Sequence, residues 1–173
     1  EITARQKNRL KPDASWTILG MGKLGSGELN FSSDIDLIIL YNTAPDDLDS
    51  GRVYIDLARK FASIMSQPTA DGIGWRVDYR LRPNPSVTPV AMRFDNAISY
   101  YESMARTWER VAFVRARPVA GSIDLAEQFL SEIQSFIWRR YLDYTVINDM
   151  KMMLQREPKP QDLFGYNVKK GNG

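Results

Sequence analysis

The segment Asp34-Ile35-Asp36-Leu37-Ile38-Ile39-Leu40-Tyr41 restricts the folds open to this chain more than any other. It is rich in apolar and β-branched residues and reads as a central strand, with Leu37 to Leu40 buried. Asp34 and Asp36 stand at its head. One residue apart on a strand, their carboxylates point to the same face. A charge left buried without a partner costs about 3–5 kcal/mol, so these groups need company. A shared hard cation such as Mg²⁺ would supply it. The plainer alternative is a pair of aspartates capping a turn at the exposed end of the strand.

Upstream runs Gly22-Lys23-Leu24-Gly25-Ser26-Gly27, and eleven residues separate Gly22 from Asp34. Glycines allow backbone N–H groups to approach a phosphate closely. A loop of this length can fold back and place its amides, the Ser26 hydroxyl and the Lys23 charge beside the carboxylates. The alternative is an ordinary flexible connection. A phosphate cradle next to a cation-binding carboxylate pair is equipment for nucleotidyl transfer.

Trp75-Arg76-Val77-Asp78-Tyr79-Arg80-Leu81 alternates in character and reads as a second strand, stopped at Arg82-Pro83-Asn84-Pro85. Paired beside the first strand, Asp78 would complete a three-carboxylate set of the kind that two-metal phosphoryl chemistry uses. Its alternative is an ion pair with Arg76 or Arg80. Arg80 and Arg82 alternate, so both project from one face. They are either phosphate ligands or a solvated basic edge. Arg110 and Arg117 are spaced for one helical face, and Glu109 could buttress an arginine. Trp138, Tyr141, Tyr144 and Ile147 read as core.

Composition removes whole classes of chemistry. The 173 residues contain neither histidine nor cysteine, so serine–histidine catalysis, histidine bases, thiolate sites and disulfides are excluded. A formal charge of +2 is too small for a nucleic-acid-binding face, so no nucleic acid is expected as partner. At 43% hydrophobic residues the chain can build a core. No apolar run reaches membrane-span length and no signal-peptide pattern opens the chain, so no membrane is expected and it reads as cytoplasmic. Neither end looks natural, which suggests a fragment of a longer protein.

Periodicity gives a strand at 16–21, a loop over 22–33, the strand at 34–41, an amphipathic helix over 51–67 and a loop at 68–74. Helical spacing then dominates, at 95–104, 107–117, 125–138 and 144–155, with Pro118 to Ser122 as a separator. Strands first and helices afterwards indicate an α+β fold, a nucleotide-binding half packed on helices.

Four blocks carry a resemblance: Leu19 to Tyr41, Arg76 to Pro83 (RVDYRLRP), Tyr100 to Gly121 (YYESMARTWERVAFVRARPVAG) and Tyr141 to Tyr144 (YLDY). Together they resemble the glutamine synthetase adenylyltransferase family, within the DNA polymerase β nucleotidyltransferase superfamily. Ser26 stands where a second glycine is more usual. The resemblance implies a polymerase-β-like nucleotidyltransferase core over 1–92, a helical subdomain over 93–156 and a flexible tail over 157–173. Members have two related catalytic domains, one removing AMP from a tyrosine of glutamine synthetase with release of ADP, the other attaching AMP from ATP. The NFSSDIDLI, RTWER and YLDY blocks are more similar to the adenylyl-removing domain. By this resemblance Asp34, Asp36 and Asp78 would hold two Mg²⁺ ions. Gly22, Lys23, Gly25 and Ser26 would grip phosphate, with Arg80 or Arg82 orienting the inorganic phosphate that attacks. Glutamine synthetase is the implied protein substrate, and the PII signalling protein the implied regulator of the full-length enzyme. The competing expectations are adenylylation from ATP, a small-molecule nucleotidyltransferase, and an inactive nucleotidyltransferase-fold binding module.

Overall fold

The computed structural model describes residues 15–31, 33–44, 47–70 and 72–138. The expected helix at 144–155, the YLDY block and the tail at 157–173 lie outside them. Strand β1 (Ser15–Gly20) leads into a single helical turn, α1 (Gly22–Gly25), and then β2 (Ile35–Asn42). Helix α2 (Leu48–Ser66) follows, then a small hairpin of β3 (Pro68–Thr69) and β4 (Gly72–Ile73). Next come β5 (Val77–Asp78), β6 (Ala91–Arg93), α3 (Phe94–Ser103) and α4 (Thr107–Phe113). Strand β7 (Arg117–Gly121) and helices α5 (Ile123–Glu132) and α6 (Gln134–Ile137) complete the described chain.

β2 is the central strand, as its apolar run requires. Along one edge it pairs antiparallel with the whole of β1, from Ser15↔Asn42 to Gly20↔Leu37. Along the other it pairs in parallel first with β5, then with β6. β7 closes the far side of β1, giving the order β5-β2-β1-β7. The run Leu37 to Leu40 is continuous because both faces of β2 are covered. Ile35, Leu37 and Ile39 pack with Ile18, Tyr54 and Ala58 under α2. Ile38 and Leu40 pack with Leu19, Tyr101, Phe113 and Phe129 under α3 to α6. The helices of the second half thus share a core with the sheet. Sheet and helices together form the α+β arrangement expected.

Several boundaries differ from the sequence reading, each for a local reason. α2 starts three residues earlier than periodicity indicates, because the Asp47 carboxylate accepts the Ser50 N–H at 3.1 Å and caps the helix. The helix expected over 107–117 ends at Phe113, and residues 117–121, expected as a separator, form β7. A proline is tolerated there because β7 is an edge strand, and the register with β1 shifts beside Pro118. The expected helix over 125–138 is two pieces that part at the buried Ile133. Trp138 is not core among the described residues: it is 63% exposed, and Phe136 and Ile137 fill that position.

Glu109 is buried in the helical side of the core. Its Oε1 accepts the Arg106 N–H at 3.2 Å and the Tyr100 hydroxyl at 2.9 Å. Its Oε2 has no hydrogen-bond partner among the described residues. Burial pushes the Glu109 carboxyl above its ordinary value, against the opposing pull of those hydrogen bonds. The folded chain therefore holds this proton more tightly than the unfolded chain. Ionising it costs stability as pH rises from the ordinary carboxylate range through the raised folded value. Glu109→Gln keeps an oxygen for both donors and carries no charge. Its stability relative to the parent should rise with pH from about pH 4 upward, through the range in which the raised carboxyl ionises. Urea unfolding across that range measures it, and a pH-independent difference would contradict the buried-charge account.

Candidate active site

The site is built where the amino end of β2 meets β5. Asp36 and Asp78 are register partners on these parallel strands. Ile35 and Val77, one residue earlier on each strand, both pack into the core under α2. Alternation then turns Asp36 and Asp78 to the opposite face of the sheet, and Asp34 with them. The sequence expectation that Asp78 stands beside the first carboxylate pair matches this placement.

Arginines from the β5 segment engage two of the three carboxylates. Arg76 Nε donates to Asp34 Oδ1 at 2.7 Å. Arg80 donates through Nε and Nη2 to Asp78 Oδ2 at 2.8 and 2.5 Å, and its backbone N–H donates to Asp78 Oδ1 at 2.8 Å. These hydrogen bonds hold the Asp78 carboxyl below its ordinary value, outweighing partial burial. Among the described residues no three acidic side chains gather closely enough to hold a metal ion. The donor set is the right chemistry for a hard cation and the strand register is right. Asp34 and Asp78 are instead turned onto Arg76 and Arg80, which is the ion-pair alternative open from the sequence.

The strand expected over 75–81 shortens to Val77–Asp78 for the same reason. The Asp78 side chain takes the Arg80 N–H away from the sheet ladder, and Arg82 N–H closes a turn on the Tyr79 carbonyl at 3.2 Å. Arg80 and Arg82 therefore do not share a strand face, which corrects the alternation argument. Arg80 is exposed. The Arg82 guanidinium donates to the carbonyls of Tyr79 at 2.8 Å, Pro85 at 2.7 Å and Thr88 at 3.2 Å, and so organises its own loop.

The glycine segment forms one helical turn against the start of β2. Met21 N–H donates to the Asp36 carbonyl at 2.9 Å. Gly22 has φ +51°, and a Cβ there would lie 3.3 Å from Asp36 Oδ2, so the turn runs directly beside that carboxylate. Lys23 and Ser26 are exposed, and the Ser26 hydroxyl donates to the Gly22 carbonyl at 2.9 Å. Gly25 is a packing glycine: a Cβ would overlap the Arg115 carbonyl oxygen and lie 2.6 Å from that of Gly20. The far end of the turn is pinned by Arg117, whose Nε and Nη2 donate to the carbonyls of Gly25 at 3.1 Å and Leu24 at 3.2 Å. Ahead of Asp34, a turn closed by the Ser33 N–H on the Asn30 carbonyl leaves Phe31 95% exposed.

A family model described as "Glutamate-ammonia ligase adenylyltransferase" matches residues 2–132. The chain belongs to the glutamate-ammonia ligase adenylyltransferase family. A relative from Rhizobium meliloti (strain 1021) is 41% identical over 165 residues, covering 90% of this chain and 17% of the relative. One from Mesorhizobium japonicum is 42% identical over 169 residues, covering 92% of this chain and 17% of its own length. One from Bartonella quintana (strain Toulouse) is 37% identical, covering 100% of this chain and 19% of the relative. Each of the three is named "Bifunctional glutamine synthetase adenylyltransferase/adenylyl-removing enzyme". The chain thus spans less than a fifth of the length of these relatives.

Within this family member, sequence reasoning missed two groups at the site. Arg76 was weighed only as a partner of Asp78, yet it holds Asp34. Arg117 was placed on a helical face with Arg110, yet it lies on β7 behind the glycine turn, while Arg110 reaches the Ile137 carbonyl at 3.4 Å. The RVDYRLRP and VRARPVAG blocks, among those that carry the resemblance, were the available signal for both. Arg82→Ala should lower stability by about 1–3 kcal/mol, because partly buried loop carbonyls lose their donors. Urea unfolding checks this, and an unchanged midpoint would contradict the loop-organising role of Arg82. No helix among the described residues is long and apolar enough to cross a membrane.

Proposed function

We propose that this domain removes AMP from an adenylylated tyrosine of glutamine synthetase by phosphorolysis. The observation that carries the reading is the pairing of Asp36 with Asp78 on adjacent parallel strands, with Asp34 two residues upstream and the glycine turn alongside. Asp34, Asp36 and Asp78 would hold Mg²⁺, two ions by family resemblance, which when bound supplies positive charge for the reacting phosphoryl group and the departing tyrosinate. The turn from Gly22 to Ser26, with the Lys23 ammonium, borders the phosphate groups, and Arg80 offers an exposed guanidinium to the attacking phosphate.

In the reaction an oxygen of inorganic phosphate bonds to the phosphorus of the tyrosine-linked AMP. The bond from that phosphorus to the tyrosine oxygen breaks, and the electron pair leaves with the tyrosinate, which takes a proton from solvent. The products are ADP and unmodified tyrosine. Anionic phosphate needs no base, which suits a chain without histidine. Attack by a tyrosine hydroxyl, with a pKa of about 10, needs its proton removed.

The second reading is adenylylation from ATP, since the relatives' names carry both activities. The deciding experiment incubates the protein with adenylylated glutamine synthetase, Mg²⁺ and inorganic phosphate and follows ADP. Phosphate-dependent ADP release supports adenylyl removal. AMP transfer from ATP to unmodified synthetase, without ADP release, would replace it with the second reading. Regulation by a PII signalling protein belongs to the full-length enzyme in this proposal, and the cytoplasm is its proposed compartment.

A further inference from the structure

The two arginine–carboxylate pairs of the site are built alike. In each, the carboxylate is the more enclosed partner: side-chain exposure is 25% for Asp34 and 14% for Asp78, against 65% for Arg76 and 82% for Arg80. Both cations come from one five-residue stretch, Arg76 to Arg80, centred on β5. Their guanidinium groups sit on the oxygens that a cation would need, at the place where β2 and β5 are paired in register at Asp36 and Asp78.

We propose that Arg76 and Arg80 are exchangeable counter-ions of this carboxylate set. A divalent cation displaces them from Asp34 and Asp78, and the released guanidinium groups then take phosphate oxygens of the substrate. This inference rests on reading the three carboxylates as a cation site.

Three physical points carry it. Arginine keeps its charge at any accessible pH, so it leaves a carboxylate by moving and not by losing a proton. A pair whose cation is exposed is weakly held, because water solvates the released group. A divalent cation brings twice the charge to the same oxygens, and a planar guanidinium can meet phosphate bidentately, as Arg80 meets Asp78 through Nε and Nη2. Before exchange, the arginines keep neighbouring carboxylates from facing each other unneutralised. After exchange, the same groups face an anionic substrate. Cation and phosphate binding become coupled, and by linkage each strengthens the other.

The test is Mn²⁺ binding followed by electron paramagnetic resonance on the purified protein, with and without inorganic phosphate. The variants are Arg76→Gln, Arg80→Gln and Asp36→Asn. Arg115→Gln, which removes an exposed arginine paired elsewhere with Glu28, controls for net charge. Phosphate should tighten Mn²⁺ binding to the parent by about 5–150-fold, the usual range of coupling between sites. Arg76→Gln and Arg80→Gln should bind Mn²⁺ more tightly than the parent and Arg115→Gln when phosphate is absent. They should also lose most of the phosphate enhancement. Parent-like affinity and enhancement in both variants would overturn the exchange while leaving the cation site in place. Equal Mn²⁺ binding by the parent and Asp36→Asn would remove the cation site itself, and the exchange with it.

Discussion

Asp36→Asn should reduce phosphate-dependent ADP release by at least about a thousandfold, close to 4 kcal/mol of transition-state stabilisation. Asp36 lies where three features converge: the strand pairing with β5, the backbone bond from Met21, and the Gly22 backbone beside its Oδ2. Asparagine is nearly the same size and keeps one side-chain oxygen, so β2 and its two packed faces should be undisturbed. What it removes is charge, the property that both a hard cation and the charge balance with Arg76 and Arg80 require. The matching measurement is the thermal unfolding midpoint, which should move little. A large loss of rate with an unchanged midpoint assigns Asp36 to chemistry. A variant that retains its rate would remove Asp36 and its carboxylate charge from the mechanism.

The parts of this site visible in the sequence are those fixed by short-range pattern. The apolar, β-branched run after Asp36 reads as a central strand, and the i, i+2 spacing puts Asp34 and Asp36 on a common face. Asp78 was found because its segment alternates, although only two residues of it pair. The length of that strand was not legible, because it is ended by a side chain: Asp78 takes the Arg80 N–H that a strand would spend on its neighbour. Periodicity cannot register such competition. β7 was hidden for a different reason. Pro118 and Gly121 read as punctuation, and only the vacant edge of β1 makes them a strand. Arg117 was misplaced along with it. Long-range contacts of this kind, across more than ninety residues from Arg117 to Gly25, leave no mark in local spacing.

Gly25→Ala should be the most destabilising single-methyl change at the site, costing about 3 kcal/mol or more and lowering the yield of folded protein. The glycine-rich segment reads as a uniform phosphate cradle, but its glycines do different work. At Gly25 a Cβ meets two backbone carbonyls, those of Arg115 and Gly20, and neither can rotate away as a side chain can. Relief requires α1 to lift off β1 and the chain leading into β7, which also breaks the Arg117 bonds to Leu24 and Gly25. Gly22→Ala is the informative contrast. Its positive φ costs an alanine about 1–2 kcal/mol, and its Cβ presses only on Asp36 Oδ2. That variant should fold and lose activity, because the methyl crowds a carboxylate and leaves the packing intact. Urea unfolding with activity on the same samples separates the two. Equal stability losses at Gly25 and Gly22 would mean that the turn is loosely seated. The carboxylate it borders would then be positioned by β2 and β5 alone.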